Sequence, residues 1–162
     1  MELIQEIIIE DIPSYYIVGK KKRYTSMNLF YSNTHWSVRK GIVDRSKDSL
    51  KVNIDRKIFN LKVDDIYISY VYVSKKSSFD IENRLGFWSK VFLDYAKGTA
   101  MIPDDNVKTI KKISYDYVHT TNPKDTLKIS IYGVPSKCST DEREEASTKS
   151  RGSSKPRSSR NK

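Results

Sequence analysis

Residues 66 to 73, "IYISYVYV", alternate strictly between two sets of side chains. Ile66, Ile68, Tyr70 and Tyr72 point to one face of an extended segment, and the residues between them point to the other. β-branched and aromatic residues with this period are typical of a strand that buries one face. The stretch therefore predicts a strand, and the segments around it decide the class of fold.

Residues 81 to 98, "IENRLGFWSKVFLDYAKG", predict a helix because their side chains separate into two faces at 3.6 residues per turn. Asn83, Lys90 and Asp94 fall within a narrow polar arc, with Phe87 beside them. This arc is either plain solvent-facing surface, with Lys90 and Asp94 as an i,i+4 ion pair, or part of a site. The opposite side predicts a core face made of Leu85, Trp88, Phe92, Tyr95 and Ala96.

Three more segments have strand composition: residues 3 to 10, 106 to 119 and 126 to 134. The Asn-Pro of "TTNPKD" between the last two marks a turn, so we predict that they form a hairpin. With a second helix, these segments predict an α+β fold with two main helices. Its sheet has about four strands and is mixed or antiparallel.

The second main helix is predicted within residues 33 to 50, with Asn33 or Thr34 as its N-cap. Residues 19 to 28 before it, "GKKKRYTSMN", predict a mobile loop that carries four consecutive basic residues. This charge run is either solvated surface or a phosphate contact. The apolar stripe of the helix would consist of Trp36, Val38, Ile42 and Val43.

The chain of 162 residues is long enough for one folded domain, which we place at residues 1 to 133. Residues 134 to 162 have almost nothing to bury, and such a Ser, Lys, Arg and Glu mixture predicts a disordered tail. No acidic residue follows Glu145, so the end of this tail is purely basic. It is either a loose phosphate contact or a solvated segment without a further role.

The formal net charge of +10 favours a polyanionic partner, and nucleic acid is the leading candidate. An acidic membrane surface is the alternative, but it requires a basic amphipathic helix or a lipid anchor, and neither is evident. The N-terminus lacks the pattern of a secretory signal, and no apolar run reaches the length of a membrane span. Cys138 is the single cysteine, which excludes a disulfide framework. We therefore expect a soluble, intracellular protein.

Three carboxylates stand near the two ends of the predicted helix at residues 81 to 98. Asp80 and Glu82 are two residues apart, so an extended backbone would point both to the same side. Asp105 follows in "MIPDDNV", where Pro103 and Asp104 also fit ordinary turn chemistry. If the chain folds back beside the strand at residues 66 to 73, the three acids meet, and clustered carboxylates favour Mg²⁺.

The order of these motifs resembles the RusA family of Holliday-junction resolvases. The similarity rests on "DIEN" (80 to 83), the helical "KVFLD" (90 to 94), "MIPDDNV" (101 to 107) and "SMNLFY" (26 to 31). It spans most of residues 1 to 133 and excludes the tail. The family consists of small homodimeric endonucleases that depend on Mg²⁺ and nick four-way DNA junctions symmetrically. The resemblance implies the same partners here: branched double-stranded DNA and a second copy of the chain.

Carried over by position, the resemblance implies that Asp80, Glu82 and Asp105 bind Mg²⁺, with Mn²⁺ as an alternative ion. Lys90 would match the family's essential lysine and would stabilise charge on the phosphate. The family usually has Asp at the Glu82 position, and in the shortest form of its pattern the lysine follows the Asn by three residues. Lys90 instead lies seven residues after Asn83, so Arg84 is a possible substitute.

The sequence also leaves rival functions open. One rival is a basic protein that binds DNA junctions without cutting them, and another is a metal nuclease that acts on flaps or single strands. No small-molecule cofactor is expected, and the protein would work in the cytoplasm, in association with the nucleoid. The eleven tyrosines are first of all strand residues with one solvated face, although Tyr15, Tyr16, Tyr24 and Tyr31 near the basic run could stack on unpaired bases. The predicted DNA contacts are Lys20, Lys21, Lys22, Arg23, Lys75, Lys76, Arg84, Lys108 and Lys111.

Overall fold

A four-stranded mixed sheet and two long helices build the domain in a computed structural model that describes residues 1–54, 63–76 and 80–135. The helices are α1 (Asn28–Tyr31), α2 (Trp36–Asn53) and α3 (Ile81–Gly98). The predicted α+β class and its mixed sheet are confirmed. The strands are β1 (Glu2–Glu10), β2 (Tyr15–Val18), β3 (Lys21–Tyr24), β4 (Val63–Ser74), β5 (Ile110–His119) and β6 (Thr126–Pro135).

The strands of the large sheet lie in the order β1-β6-β4-β5. β6 is antiparallel to both β1 and β4, whereas β5 runs parallel to β4. The predicted hairpin between the last two strands is therefore wrong, because β5 and β6 lie on opposite sides of β4. The connection between them crosses the end of β4, where the Thr120 amide donates to the Ser74 carbonyl oxygen at 3.1 Å.

The core lies between the sheet and α3. Ile66, Ile68, Tyr70 and Tyr72 of β4 are buried, as their alternation predicts. The predicted apolar face of α3 is buried at Leu85, Trp88, Phe92 and Ala96 and partly buried at Tyr95. Phe87, expected beside the polar arc, is also buried, because the short helix α1 places Phe30 5.7 Å from it between ring centroids.

The N-cap of helix α2 lies one or two residues later than the predicted N-caps, Thr34 and Asn33. His35 is the N-cap, and its side chain accepts a hydrogen bond from the Ser37 amide. Ile42 is buried as expected, and Val38 and Val43 pack against the core. Trp36 is 63% exposed, so its place in the predicted core stripe is wrong. As the first residue of the helix it projects beyond the surface that the rest of the helix covers.

The basic segment predicted as a loop contains a two-stranded hairpin. β2 and β3 pair antiparallel, with Tyr15 opposite Tyr24 and Val18 opposite Lys21. Gly19 in the turn has a φ of 62°, a left-handed conformation that glycine adopts without steric cost. The predicted tail lies outside the described residues apart from its first two positions, which belong to β6. None of the described helices is long and apolar enough to cross a membrane.

The carboxylate of Asp125 joins several parts of the fold. It accepts hydrogen bonds from Ser14 Oγ (2.9 Å), Tyr72 Oη (3.0 Å) and Ser74 Oγ. Lys76 Nζ lies 3.3 Å away. Asp125 is buried, and a buried carboxylate is stable only when it is paired and hydrogen-bonded. These contacts tie the connection before β6 to the end of β4 and to the start of the hairpin.

Burial acts to raise the pKa of Asp125, but hydrogen bonds from Ser74, Ser14 and Tyr72 and the charge of Lys76 together lower it below its usual value. The carboxylate therefore stabilises the fold above about pH 4, the value expected in the unfolded chain. This contribution is lost as the pH falls through the lower pKa of the folded state. Acid should thus weaken the network that Asp125 holds together.

We predict that Asp125→Asn lowers the free energy of unfolding by about 2 to 4 kcal/mol at pH 7, because an amide cannot satisfy the same set of donors. The difference from the unaltered protein should shrink at pH 3. Urea unfolding at the two pH values measures both effects. Asp48→Asn, at an exposed aspartate of α2, is the matched control and should change stability by less than about 0.5 kcal/mol. An equally small loss for Asp125→Asn would contradict the prediction.

Candidate functional site

A cleft lies where α3 begins. Asp80 is the N-cap of α3, and its Oδ1 accepts a hydrogen bond from the Asn83 amide at 2.9 Å. Its Oδ2 accepts a second bond from Asn83 Nδ2, also at 2.9 Å. The two bonds from Asn83 lower the pKa of Asp80, so the carboxylate is ionised at neutral pH. Residues 80 to 82 are not extended as predicted, since Glu82 already lies in the first helical turn.

Three separate segments form the walls of this cleft. One groove, of about 240 Å³, runs between Tyr24, Ser26 and Asn28 on one side and Asp80 and Asn83 on the other. An adjoining groove is bordered by Met27, Tyr31, Asp80, Glu82 and Asn83. The structure thus brings together the "SMN" and "DIEN" motifs, which are more than fifty residues apart in sequence.

The contact between these two motifs is close. The Met27 amide donates to the Asn83 carbonyl oxygen at 3.0 Å. A Cβ at Gly86, one turn further along α3, would lie 3.0 Å from Met27 Cγ, which is tighter than ordinary packing allows. Glycine at this position therefore lets the segment before α1 approach the helix. The cleft depends on that approach.

The basic hairpin forms the rim of the cleft. Lys22, Arg23 and Tyr24 border a third groove together with Ser26 and Asn28. No acidic residue occurs from Ser14 to Thr25, whereas Lys20, Lys21, Lys22 and Arg23 are all basic. This basic groove adjoins the groove that contains Asp80, because Tyr24, Ser26 and Asn28 border both. This arrangement suits a ligand that carries phosphate groups.

Asp105 lies at the far end of α3, and the three predicted metal ligands do not meet within one chain. Lys97 Nζ, in the last turn of the helix, is 3.0 Å from Asp105 Oδ1 and 2.7 Å from Asp104 Oδ1. Lys97 follows Asp80 by 17 positions, which corresponds to about 25 Å along the helix axis. Asp104 and Asp105 therefore form ion pairs with Lys97 instead of a cluster with Asp80.

Lys90 also lies away from the cleft. Its Nζ is 3.7 Å from Asp94 Oδ2, which is the i,i+4 ion pair that the sequence suggested. Ten positions separate Lys90 from Asp80, or about 15 Å along the axis. The structure thus does not place Lys90 beside Asp80 and Glu82, where the resemblance requires a catalytic lysine.

Arg84, which the sequence suggests as a DNA contact, lines the groove beside Asp80 and Asn83, but most of its side chain is engaged inside the fold. The side chain is buried, and its Nη1 donates to the Ser14 carbonyl oxygen at 2.8 Å and to Thr25 Oγ1 at 2.6 Å. Both acceptors lie at the base of the hairpin. Arg84 therefore fastens the hairpin to α3, a function that its charge alone could not reveal in the sequence.

The other predicted DNA contacts divide between the two ends of the sheet. Lys75 and Lys76 follow β4 on the side of the cleft, where Lys76 pairs with Asp125. Lys108 and Lys111 lie at the start of β5, and because β5 is parallel to β4 this is the opposite end. Lys111 pairs with Asp65 at 3.4 Å. Of these described lysines, Lys108 and Lys111 therefore lie at the end of the sheet away from Asp80.

Sequence reasoning missed Asn83 as the residue that orients Asp80. The spacing of Asp80 and Asn83 matches an N-cap and the third helical position, so helix-capping rules contain the signal. The sequence marked Tyr24 as a stacking candidate, but its position beside the Asp80 groove had no comparable signal. It depends on how the hairpin packs against the rest of the domain.

The acids at the cleft fit a magnesium site that has few protein ligands. Among the described residues, no group of three or more His, Cys, Asp or Glu side chains is placed to share a metal ion. Mg²⁺ in phosphate-processing sites is commonly held by one or two carboxylates, with water and substrate phosphate as the other ligands. Asp80 and Glu82 border the same groove and match that pattern. The three-acid set of the resemblance does not form in a single chain.

Comparison with protein-family models, curated proteins and solved structures finds no match for this chain. The fold and the cleft define an α+β domain with a basic hairpin beside the acids Asp80 and Glu82 at the start of α3.

The ion pairs of Lys97 generate a prediction. Hydrogen bonding to Lys97 lowers the pKa of Asp104 to about 2, and the Asp105 amide acts in the same direction. Lys97→Gln should therefore raise the pKa of Asp104 towards its ordinary value, as measured by carboxyl-carbon NMR titration. Lys90→Gln, which removes an exposed lysine from the same helix, should leave it unchanged. A pKa near 2 that persists in Lys97→Gln would show that the ion pair does not control this carboxyl group.

Proposed function

We propose that this protein is a Mg²⁺-dependent endonuclease that resolves four-way DNA junctions, as the RusA-like motifs suggest. The observation that supports the proposal is the meeting of three segments at one cleft. These are "SMN" before α1, "DIEN" at the start of α3, and the basic hairpin. Two of the motifs that carry the resemblance thus share a site with the most basic part of the described chain.

Each part of the cleft has a chemical role in this proposal. Asp80 and Glu82 would hold the metal ion, and Asn83 keeps the Asp80 carboxylate oriented and ionised. A bound Mg²⁺ supplies charge stabilisation on the phosphate and lowers the pKa of a water molecule. Lys20, Lys21 and Lys22 would contact the DNA backbone, which positions the substrate without reading its bases. The shape of the branch point would then determine where the DNA enters.

A homodimer is part of the proposal. Two symmetric nicks across a junction need two active sites related by a two-fold axis. The protein would act where its DNA substrate lies, in the cytoplasm or nucleoid of the cell.

The separation of the acids favours a second candidate function. A protein with the basic rim but without a complete metal site would bind junctions and leave them intact. Asp80 already has a structural use as an N-cap, and Asp105 already has a partner in Lys97. This rival shares the ligand of the main proposal and differs only in the absence of chemistry.

We predict that the purified protein cuts a synthetic four-way junction with Mg²⁺, fails to cut it with EDTA, and leaves the matching linear duplex intact. Asp80→Asn should reduce cleavage by about 100-fold or more while junction binding persists, because the amide is a poor metal ligand. Gel electrophoresis of end-labelled strands measures the nicks. Tight binding without any Mg²⁺-dependent cut would establish the second candidate.

We further predict that Asp105→Asn and Lys90→Gln retain cleavage to within a few-fold, because neither residue borders the cleft of its own chain. Both are exposed positions on or beside α3, so they serve as matched controls for Asp80→Asn. If Asp105→Asn abolished cleavage in a folded protein, Asp105 would have to reach the metal from a second copy of the chain.

A further inference from the structure

The hairpin formed by β2 and β3 has one face directed to solvent that carries aromatic side chains. Tyr15 and Tyr24 are opposite each other in the register, and Ile17 is opposite Lys22. Tyr15, Ile17 and Tyr24 are 38%, 61% and 57% exposed. We call this set the outer hairpin face: Tyr15, Ile17, Lys22 and Tyr24. Exposed apolar side chains gathered in one place are typical of a binding surface.

Contacts within the outer hairpin face hold the two rings in place. The ring centroids of Tyr15 and Tyr24 are 5.9 Å apart in an edge-to-face arrangement, with planes inclined by 62°. Lys22 Nζ lies 4.7 Å from the centroid of the Tyr15 ring. The face therefore presents a tyrosine pair with a cation beside it. Cations and aromatic rings together form the surface on which unpaired bases stack.

The opposite face of the hairpin fixes its orientation. Tyr16 packs against the core, and Ser46 Oγ of α2 donates to its hydroxyl at 3.3 Å. At the base of the hairpin, Thr25 Oγ1 donates to the Pro13 carbonyl oxygen at 2.8 Å. Arg84 adds its two bonds there. Because these contacts anchor one face, the outer hairpin face stays exposed.

Charge identifies the occupant of this face. The segment from Ser14 to Thr25 contains Lys20, Lys21, Lys22 and Arg23 and no acidic residue. A protein partner would have to present aromatic groups to the tyrosines and acidic groups to the lysines at the same place. A nucleic acid supplies an aromatic base and a phosphate in every nucleotide. Tyr24 also borders the groove that contains Asp80. A base stacked on Tyr24 would thus bring its own phosphate towards the acids.

We propose that the outer hairpin face stacks unpaired bases at a DNA branch point and so positions the strand in the cleft. The choice of branched DNA rests on the proposed function, while the stacking itself does not require cleavage. Nothing in the sequence distinguishes Tyr16 from Tyr15 and Tyr24. In the structure Tyr16 faces α2, so it does not belong to the outer hairpin face. Tyr15 and Tyr24 are the positioning residues.

The test measures binding in EDTA, so that cleavage plays no part. The probes are a four-way junction and a linear duplex of the same sequence. The junction carries 2-aminopurine next to the branch, and the duplex carries it at the same position in the sequence. Tyr24→Ala, and likewise Tyr15→Ala, should weaken junction binding by about 10- to 100-fold and change duplex affinity by less than about three-fold. Quenching of 2-aminopurine in the junction complex should be lost with binding held at saturation.

Conservative and distant variants complete the design. Tyr24→Phe keeps the ring and should retain both affinity and quenching. Tyr115→Ala removes a tyrosine of similar exposure on β5 and should leave junction binding unchanged. Thermal melting of each variant establishes that it is folded.

Several results would overturn the proposal. One is unchanged junction binding in folded Tyr15→Ala and Tyr24→Ala, and another is an equal loss for junction and duplex. A change in sedimenting mass with the tyrosine variants, without a change in DNA binding, would assign the face to contact between copies of the chain. If the unaltered protein binds no DNA, both proposals fail. If it binds and stacks but never cuts with Mg²⁺, only the nuclease proposal fails.

Discussion

The buried carboxylate of Asp125 is the interaction on which the arrangement of the cleft depends. It binds Ser14 at the start of the hairpin and Ser74 at the end of β4. The Ser14 carbonyl oxygen in turn accepts from Arg84 of α3. One chain of polar contacts therefore connects the sheet, the hairpin and the helix that begins at Asp80. Since every member is hydrogen-bonded, the network offsets the desolvation of the carboxylate and fixes one relative placement of these parts.

The length of α3 imposes a second constraint. A helix that begins where β4 ends and leads back to the start of β5 separates the residues at its two ends by about 25 Å. Asp80 and Glu82 therefore lie at one end of the sheet, and Asp104 and Asp105 lie at the other. Asp80 accepts capping bonds from Asn83 at the start of the helix, and Lys97 forms ion pairs with Asp104 and Asp105 at its end. The crossover that builds a parallel pair from β4 and β5 is thus what keeps the acids apart.

The sequence contains the periodic parts of this fold and little of its side-chain pairing. The alternation at residues 66 to 73 and the helical period at residues 81 to 98 each depend on burial of one face, and both elements form as predicted. The order of strands depends on contacts far apart along the chain, so the hairpin expected at "TTNPKD" does not form. The bonds of Arg84 to the hairpin escaped prediction for the same reason, since its acceptors on Ser14 and Thr25 lie 70 and 59 residues earlier.

The proposed binding of phosphates at the cleft carries one chemical requirement. Phosphates attracted by Lys22 and Arg23 would come near the carboxyl groups of Asp80 and Glu82, and like charges repel. A divalent cation held by Asp80 and Glu82 would offset this repulsion, with the phosphate as a further ligand. If Asp80 and Glu82 bound no cation and served only the helix, their charge would weaken DNA binding. The effect of Mg²⁺ on affinity, separate from its effect on cleavage, therefore reports whether these acids serve a metal or only the helix.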